Sequence, residues 1–280
     1  MSVWYCIPSK RSISEIAPIL QSWREQGYKI ALWRDWNDER VPDAMADLVR
    51  PGKYPGYARA VNLLVAEVLD IYSDAEWLVT GGDDVQPGLN HAAQQIAQQC
   101  GDHFYKVNST NRDRVAYEWS TFGVMQPTGD RWGEHRNTHT FTPRAGGIPA
   151  LQMCSQCGRM EDNAIHSLGA YIDRVCGSPW MGREFCQRVN QGNGPLWPEY
   201  YHMGVDQELQ AVATRLGVFW QRPDLIHLHK HWGRGVGDAK GSAANMPEFL
   251  ARANSKEEWD KYKALFRARE EAGFPGSEPL

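Results

Sequence analysis

No run of about eighteen apolar residues occurs in this 280-residue chain, which removes the usual signature of a membrane-spanning helix. The opening residues, "MSVWYCIPSKRS", have no long apolar core leading to small residues, so no secretory leader is read there and a cytoplasmic location is expected. Charge of one sign is also missing. Thirty Lys and Arg stand against thirty-four Asp and Glu, for a formal net charge of −4. No global basic field advertises a polyanionic partner, although arginines gathered locally would still make a phosphate-facing patch. Cysteine is sparse, six in all, and without a leader these thiols read as reduced, buried or metal-bound rather than as a disulfide framework. Cys6 in a strand-like run and Cys100 at a helix end read as packing residues. Internal repeats and low-complexity tracts are absent too.

What the chain does have is an ordinary globular balance, 42% hydrophobic and 23% charged, and twelve tryptophans. Taken singly, most tryptophans are expected to fill a core; as a set they are numerous enough that some could stack on a sugar or a base. The run "SVWYCIP" reads as a strand. "SEIAPILQSWREQGY" reads as a helix with Ser12 or Ser14 as cap, with Ile16, Ile19, Leu20 and Trp23 at helical spacing and Gly27 as stop. "KIALWRD" is the next strand. A second helix, "ARAVNLLVAEVLDIY", a third strand, "AEWLVT", and a third helix, "GLNHAAQQIAQQC", complete a β-α-β-α-β-α series. That order predicts an α/β fold with a mostly parallel central sheet flanked by helices and ligands near the strands' carboxyl ends.

From "FYKVNS" onward the pattern loosens. Residues 134–167 are rich in His, Arg, Gly, Pro and Cys without clear periodicity and read as an insertion or mobile lid. "VDQELQAVATRLGV" is a clear helix, "FWQRPDLIHLHKHWGRG" a strand, and the C-terminal stretch an amphipathic helical pair or hairpin. The expected boundaries are a domain over 1–233, with a ligand-binding half at 1–125, the insertion at 134–167 and a second half at 168–233, followed by a helical extension at 234–280.

Three constellations carry chemistry. The first, "TGGDDVQPG", ends a strand in Asp83 and Asp84. Hard carboxylate oxygens there suit Mg²⁺ or Mn²⁺ bridging a diphosphate, while the bland reading is a turn that caps a helix. The second is "HLHKHW". His227, His229 and His231 alternate, so in a strand they share one face and could reach the same ion, unless they form a solvent-facing stripe. In the third, "MGVDQELQ", Asp206 and Glu208 open a helix, either as a general base for an acceptor hydroxyl or as charges suited to the positive helix end.

Together these three elements, in this order, resemble glycosyltransferases of the GT-A fold, particularly the large family-two-like group, over about Val3 to Trp232. The resemblance implies a nucleotide-sugar donor, with a UDP-sugar expected, and an acidic metal motif. In this chain Gly82 stands where that motif's first aspartate is usual, so Asp84 is the expected principal ligand, with Asp83 on ribose or metal and His229 or His231 completing the set. It also implies that the loop Pro8, Ser9, Lys10 and Arg11 and the segment from Trp33 to Asp35 cradle the base and ribose, with Arg59 and Asn62 toward the diphosphate. Asp206 or Glu208 would be the base.

The segments "FGVMQPTGDRWG" and "CGSPWMGREFCQRVNQGNGPLWPEYYHMGVDQEL" are similar to phage glycosyltransferase-like proteins that decorate hydroxymethylated pyrimidines. That likeness implies a DNA acceptor, with Arg131, Arg136, Arg183 and Arg188 on phosphates and Trp180 or Trp197 on an extruded base. Ordinary salt bridges and packing are the other reading. His135 and His139 with Cys154 and Cys157 have zinc-ligand spacings, and an insertion poor in apolar residues would gain from a structural Zn²⁺; otherwise the two thiols are free. His166, Cys176 or Cys186 could replace a member.

Other functional readings are a nucleotidyltransferase or sugar-nucleotide pyrophosphorylase, which usually needs a glycine-rich loop that "IPSKRS" lacks, and a non-catalytic, zinc-organised nucleic-acid-binding module.

Overall fold

The computed structural model describes residues 1–88, 92–110, 119–128, 141–143, 151–154, 160–162, 177–229 and 246–280. Its first half follows the predicted alternation. Strand β1 (Ser2–Pro8) leads to helix α1 (Ile13–Glu25), whose first turn is closed by the Glu15 carboxylate accepting from the Ser12 N–H at 2.9 Å. Strand β2 (Lys29–Arg34) and a short β3 (Leu48–Pro51) precede helix α2 (Tyr57–Ile71). Then come β4 (Ala75–Val79), β5 (Val85–Pro87) and helix α3 (Ala93–Ser109). Helix α3 runs past Cys100 because Phe104 and Asn108 continue its buried face, so "FYKVNS" is helix rather than the start of looser chain.

The later elements are β6 (Val124–Thr128), β7 (Phe141–Pro143), β8 (Leu151–Cys154), β9 (Met160–Asp162) and β10 (Trp180–Gly182). Helix α4 (Arg183–Arg188), helix α5 (Val205–Arg215), strand β11 (Phe219–His229) and helix α6 (Lys256–Glu271) follow. Eight strands form one sheet in the order β3-β2-β1-β4-β10-β6-β11-β5. Pairs β3/β2, β2/β1, β1/β4 and β6/β11 are parallel; β10 runs antiparallel to both β4 and β6, and β5 antiparallel to β11. The fold is therefore α/β with a mixed, predominantly parallel sheet. Strands β3, β5 and β10, of four residues or fewer, are too short to show periodicity in the sequence.

Two further expectations change. The 134–167 insertion is not wholly irregular, since β7, β8 and β9 make a separate antiparallel sheet within it. The C-terminal helical pair is instead one α-helix, α6, preceded by a 3-10 turn at Glu248–Leu250.

The core forms where the strands are buried on both faces. Helix α2 packs on β1, β2 and β4, and α1 on β2 and β5. Trp4, Trp23, Trp77 and Trp180 are fully buried, which absorbs a third of the tryptophans into packing; Cys6, Cys100 and Cys186 are buried thiols of the same kind. Around β1 the chain reverses direction across the sheet: β2 and β3 build outward on one side and β4 on the other. The crevice at the carboxyl ends of β1 and β4 is thus a topological switch point, where an open α/β sheet accepts a ligand.

Candidate active site

The end of β4 is held by buried hydroxyls. Thr80 Oγ1 donates to the Cys6 carbonyl at 2.8 Å, tying β4 to β1. The Tyr57 hydroxyl lies 2.9 Å from Thr80 Oγ1 and donates to the Gly81 carbonyl at 2.9 Å, while the Tyr5 hydroxyl donates to the Gly82 carbonyl at 2.7 Å. Burial pushes both phenols' pKa values well up, so they stay protonated donors. The two glycines answer to space. A Cβ on Gly82 would stand 2.3 Å from Asp84 Oδ1, and one on Gly81 would stand 2.7 Å from Ser178 Oγ. The Asp84 carboxylate folds back over Gly82, and only a residue without a side chain leaves room for it.

Packed negative charge at a strand end needs a cation, and among the described residues Arg11 supplies one. Its Nε donates to Asp83 Oδ1 at 3.0 Å and its Nη2 lies 3.5 Å from Asp84 Oδ2. Ser9 Oγ donates to Asp83 Oδ2 at 2.6 Å. Burial raises the Asp83 pKa, Arg11 and Ser9 pull it back, and Asp84 adds to the rise. The loop bearing Ser9 and Arg11 is itself fixed by buried Arg34, which donates to the Ser9 carbonyl at 3.2 Å and the Arg11 carbonyl at 2.6 Å.

These groups floor a cavity of roughly 750 Å³. Pro8, Ser9, Lys10, Trp33, Asp35, Lys53, Asp83, Asp84, His202 and Asp206 all line it. The expected base-and-ribose segments and the acidic pair therefore meet in one place. The lining carries Asp35, Asp38, Asp83, Asp84 and Asp206 against Lys10, Lys53 and Arg252. Arg11 offsets Asp83 and Asp84 in part and Arg34 pairs with Asp38, and a further cation would favour a diphosphate beside these carboxylates. Hard oxygens on adjacent aspartates fit Mg²⁺ or Mn²⁺, which bind through one or two carboxylates plus substrate phosphates. Both oxygens of Asp83 are engaged by Ser9 and Arg11, and Arg11 also reaches Asp84 Oδ2. Among the described residues no group of three or more His, Cys, Asp and Glu side chains converges as a protein-only cage.

Asp206 stands in the first turn of α5, which Gly204 opens at φ 88; a Cβ there would also strike the Tyr262 ring at 2.6 Å. Asp206 lines the cavity, and its charge is felt by the Tyr57 hydroxyl. Glu208, two residues on, is a different case. It is 2% exposed, Arg269 Nε and Nη2 donate to its carboxylate at 2.6–2.9 Å, and Tyr200 Oη donates to it at 2.8 Å. Its oxygens are committed to anchoring α6, so the alternative that Glu208 is the base is corrected to a structural role.

Other expected residues lie elsewhere. Asn62 Nδ2 donates to the Leu196 carbonyl at 2.7 Å and Leu196 N–H donates to Asn62 Oδ1 at 3.1 Å, while Arg59 Nε donates to the Pro198 carbonyl at 3.0 Å. Both tie α2 to the 196–198 loop instead of facing a diphosphate. Trp180 is fully buried in β10 and offers no face to a base. Arg183 donates to the carbonyls of Leu69, Tyr72 and Ala75 at 2.8–3.2 Å, closing the C-terminal end of α2. Arg188 pairs with Glu184 and donates to the Leu280 carbonyl, and the Trp197 ring lies 3.3 Å under the Arg269 guanidinium. Thus the four acceptor-side residues pack the molecule, outside the cavity lining.

His227 is buried edge-on to Trp23 at 5.1 Å, away from the cavity lining. The β5/β11 register sets position 229 opposite Val85, next to Asp84 in sequence, so the late strand and the acidic pair do converge along the backbone. His231, His135, His139, Cys157, Arg131, Arg136, His166 and Cys176 lie outside the described residues, and Cys154 is described in its backbone alone.

The cavity also contains groups the sequence did not single out. His202 faces the Tyr57 ring at 5.6 Å; burial lowers its pKa against the pull of Asp84, favouring a neutral imidazole. Phe249, Leu250, Arg252, Ala253 and Asn254 form a further wall, so the C-terminal extension belongs to the site. Only spatial proximity could have revealed these, since "YHMG" and "EFLARAN" carry no motif.

No family model matches the chain. Among solved structures it is similar to a protein assigned as a glucose-1-phosphate thymidylyltransferase from Bacillus anthracis, solved with sucrose, at 8% identity and TM-score 0.39, over 95% of each chain. It is also similar to a mannose-1-phosphate geranyltransferase from Thermus thermophilus, at 13% identity and TM-score 0.32, over 82% of this chain and 74% of that one. Similarities this low assign neither activity nor substrate.

Proposed function

We propose that the protein is a glycosyltransferase that moves a sugar from a nucleotide-sugar, with a uridine nucleotide as the expected carrier, to an acceptor hydroxyl. The observation that carries this reading is the switch-point cavity, whose lining brings together Ser9, Lys10, Trp33, Asp35, the Asp83–Asp84 pair and Asp206. Lys10 and Lys53 supply positive charge for phosphate oxygens, and Trp33 an aromatic surface. A Mg²⁺ or Mn²⁺ held by Asp84 would offset the charge that develops on the leaving diphosphate. Asp206 takes the acceptor hydroxyl's proton as that oxygen bonds to the anomeric carbon; the carbon–oxygen bond to the diphosphate breaks, and its electron pair leaves with the diphosphate. In the inverting course these events occur on opposite faces of the sugar.

The test is a screen of nucleotide-sugars with hydroxyl acceptors, hydroxymethylated DNA among them, scoring products by mass. Release of nucleoside diphosphate that needs Asp84 and is restored to chelated protein by Mn²⁺ supports glycosyl transfer. Pyrophosphate formation from a sugar phosphate and a nucleoside triphosphate would make the protein a nucleotidyltransferase. No turnover, with zinc-dependent nucleic-acid binding that survives Asp84→Ala, would make it a binding module. The residues from which a DNA acceptor was expected pack elsewhere or lie outside the described residues, so DNA enters the screen as one acceptor among several.

A further inference from the structure

The acidic pair after β4 has a counter-ion inside the protein, and the surrounding chain holds that ion in place. Arg11 Nε donates to Asp83 Oδ1 at 3.0 Å and its Nη2 lies 3.5 Å from Asp84 Oδ2, with the three side chains only 16%, 12% and 10% exposed. Solvent therefore screens the contact little. The backbone that carries it is fixed as well. Arg34 donates to the Arg11 carbonyl at 2.6 Å, the Arg11 N–H donates to Ser9 Oγ at 3.1 Å, and that hydroxyl donates in turn to Asp83 Oδ2 at 2.6 Å. The Arg11 Cζ also lies 5.9 Å from the centre of the Phe249 ring, a further favourable contact for a cation.

Two carboxylates and one guanidinium together carry a single net negative charge. The other charged groups of the cavity lining, Asp35, Asp38 and Asp206 against Lys10, Lys53 and Arg252, balance formally, so this triad sets the local sign. A divalent ion entering alone would reverse that sign beside a guanidinium that does not deprotonate. It would also meet an Asp83 spent on both oxygens, and among the described residues no third His, Cys, Asp or Glu completes a cage. A diphosphate that enters with the ion brings both the negative charge and the oxygen ligands. We infer that Arg11 closes the acidic pair to a bare divalent ion, so that the ion is taken up with the diphosphate and is not held as a resident cofactor. This deepens the reading proposed above and rests on the acidic pair being the ion's seat.

The experiment titrates the full chain with Mn²⁺ alone and reads the free ion by electron paramagnetic resonance. Arg11→Gln should bind Mn²⁺ about tenfold to a hundredfold more tightly than wild type, since a charge this close moves the ionic equilibrium of a carboxylate by roughly that factor. Arg11→Lys, which keeps the charge, should gain less. Replacing Asp83 and Asp84 by Asn in the Arg11→Gln background should abolish the gain. If the glutamine variant folds poorly, Arg11→Met, which keeps an unbranched stem, is titrated in its place. Unchanged or weaker Mn²⁺ binding by the uncharged variant overturns the inference, the weaker case by making the guanidinium a device that positions the carboxylates for the ion. A gain as large in Arg11→Lys, or one that survives both asparagines, also overturns it, because charge would not be the barrier or the ion would sit elsewhere. UDP affinity is measured by calorimetry on the same proteins with Mn²⁺ present. Mn²⁺ binding by wild type that bound UDP does not strengthen overturns the inference too. Wild type that binds no UDP counts against the donor reading, while the ion titration still decides the role of Arg11.

Discussion

The sharpest single perturbation is Gly82→Ala. A Cβ at this position would stand 2.3 Å from Asp84 Oδ1, and the next nearest atoms, Asp84 Cγ and Val85 Cγ2, are at 3.5 and 3.6 Å. Ordinary contact begins near 3.4 Å, so one carboxylate oxygen must move by about 1 Å and nothing else needs to. Asp84 can do this by leaving its rotamer, at a cost of about 0.5–1.5 kcal/mol. Stability should therefore fall by no more than that. Function should suffer far more, because a misplacement of about 1 Å at a catalytic centre can cost on the order of a hundredfold. The paired assays are urea denaturation and Mn²⁺-dependent binding of UDP, followed by turnover once a donor is known. Gly81→Ala is the control: its Cβ would meet Ser178 Oγ at 2.7 Å, and a serine hydroxyl rotates away without touching the acidic pair. Wild-type UDP affinity in a folded Gly82→Ala protein would refute the placement of Asp84 at the diphosphate.

Arg269→Leu should destabilise the protein by about 3–5 kcal/mol, because it leaves the buried Glu208 carboxylate without its cation, and denaturant titration reads that loss directly. Asp206→Asn should retain UDP affinity and thermal stability while turnover drops by about a hundredfold or more; unchanged turnover would remove Asp206 as base. Burial holds the His202 pKa below its ordinary value of 6.5. The unfolded chain therefore binds the extra proton first, and stability should be intact above about pH 6.5 and decline as pH falls through the folded pKa. His202→Gln should flatten that part of the stability–pH curve measured by urea denaturation, and an unaltered slope would show that the imidazole is not the group responsible.

Much of the fold was legible because its determinants are local. Ile16, Ile19, Leu20 and Trp23 repeat with helical period on one face, and "KIALWR" and "AEWLV" are apolar runs of strand length; the alternation of such segments implies a parallel sheet before any contact is known. The acidic pair was legible for a related reason, since two carboxylates after a strand and two glycines require an electrostatic and steric explanation wherever the strand lies. The short strands β3, β5 and β10 were not, because three or four residues cannot display a period and depend on neighbours for their hydrogen bonds. The C-terminal extension likewise looked separate along the chain and became a cavity wall only in three dimensions.

By itself, then, the sequence determined the alternating α/β core and the Asp83–Asp84 strand end, because periodicity and side-chain chemistry are properties of adjacent residues. Tertiary structure alone decided which cation meets that pair, that Glu208 serves Arg269 while Asp206 faces the cavity, and that Trp180 packs inward. Whether a charge is spent inside the protein or left for a ligand depends on partners far away in the chain, such as Arg269, 61 positions beyond Glu208.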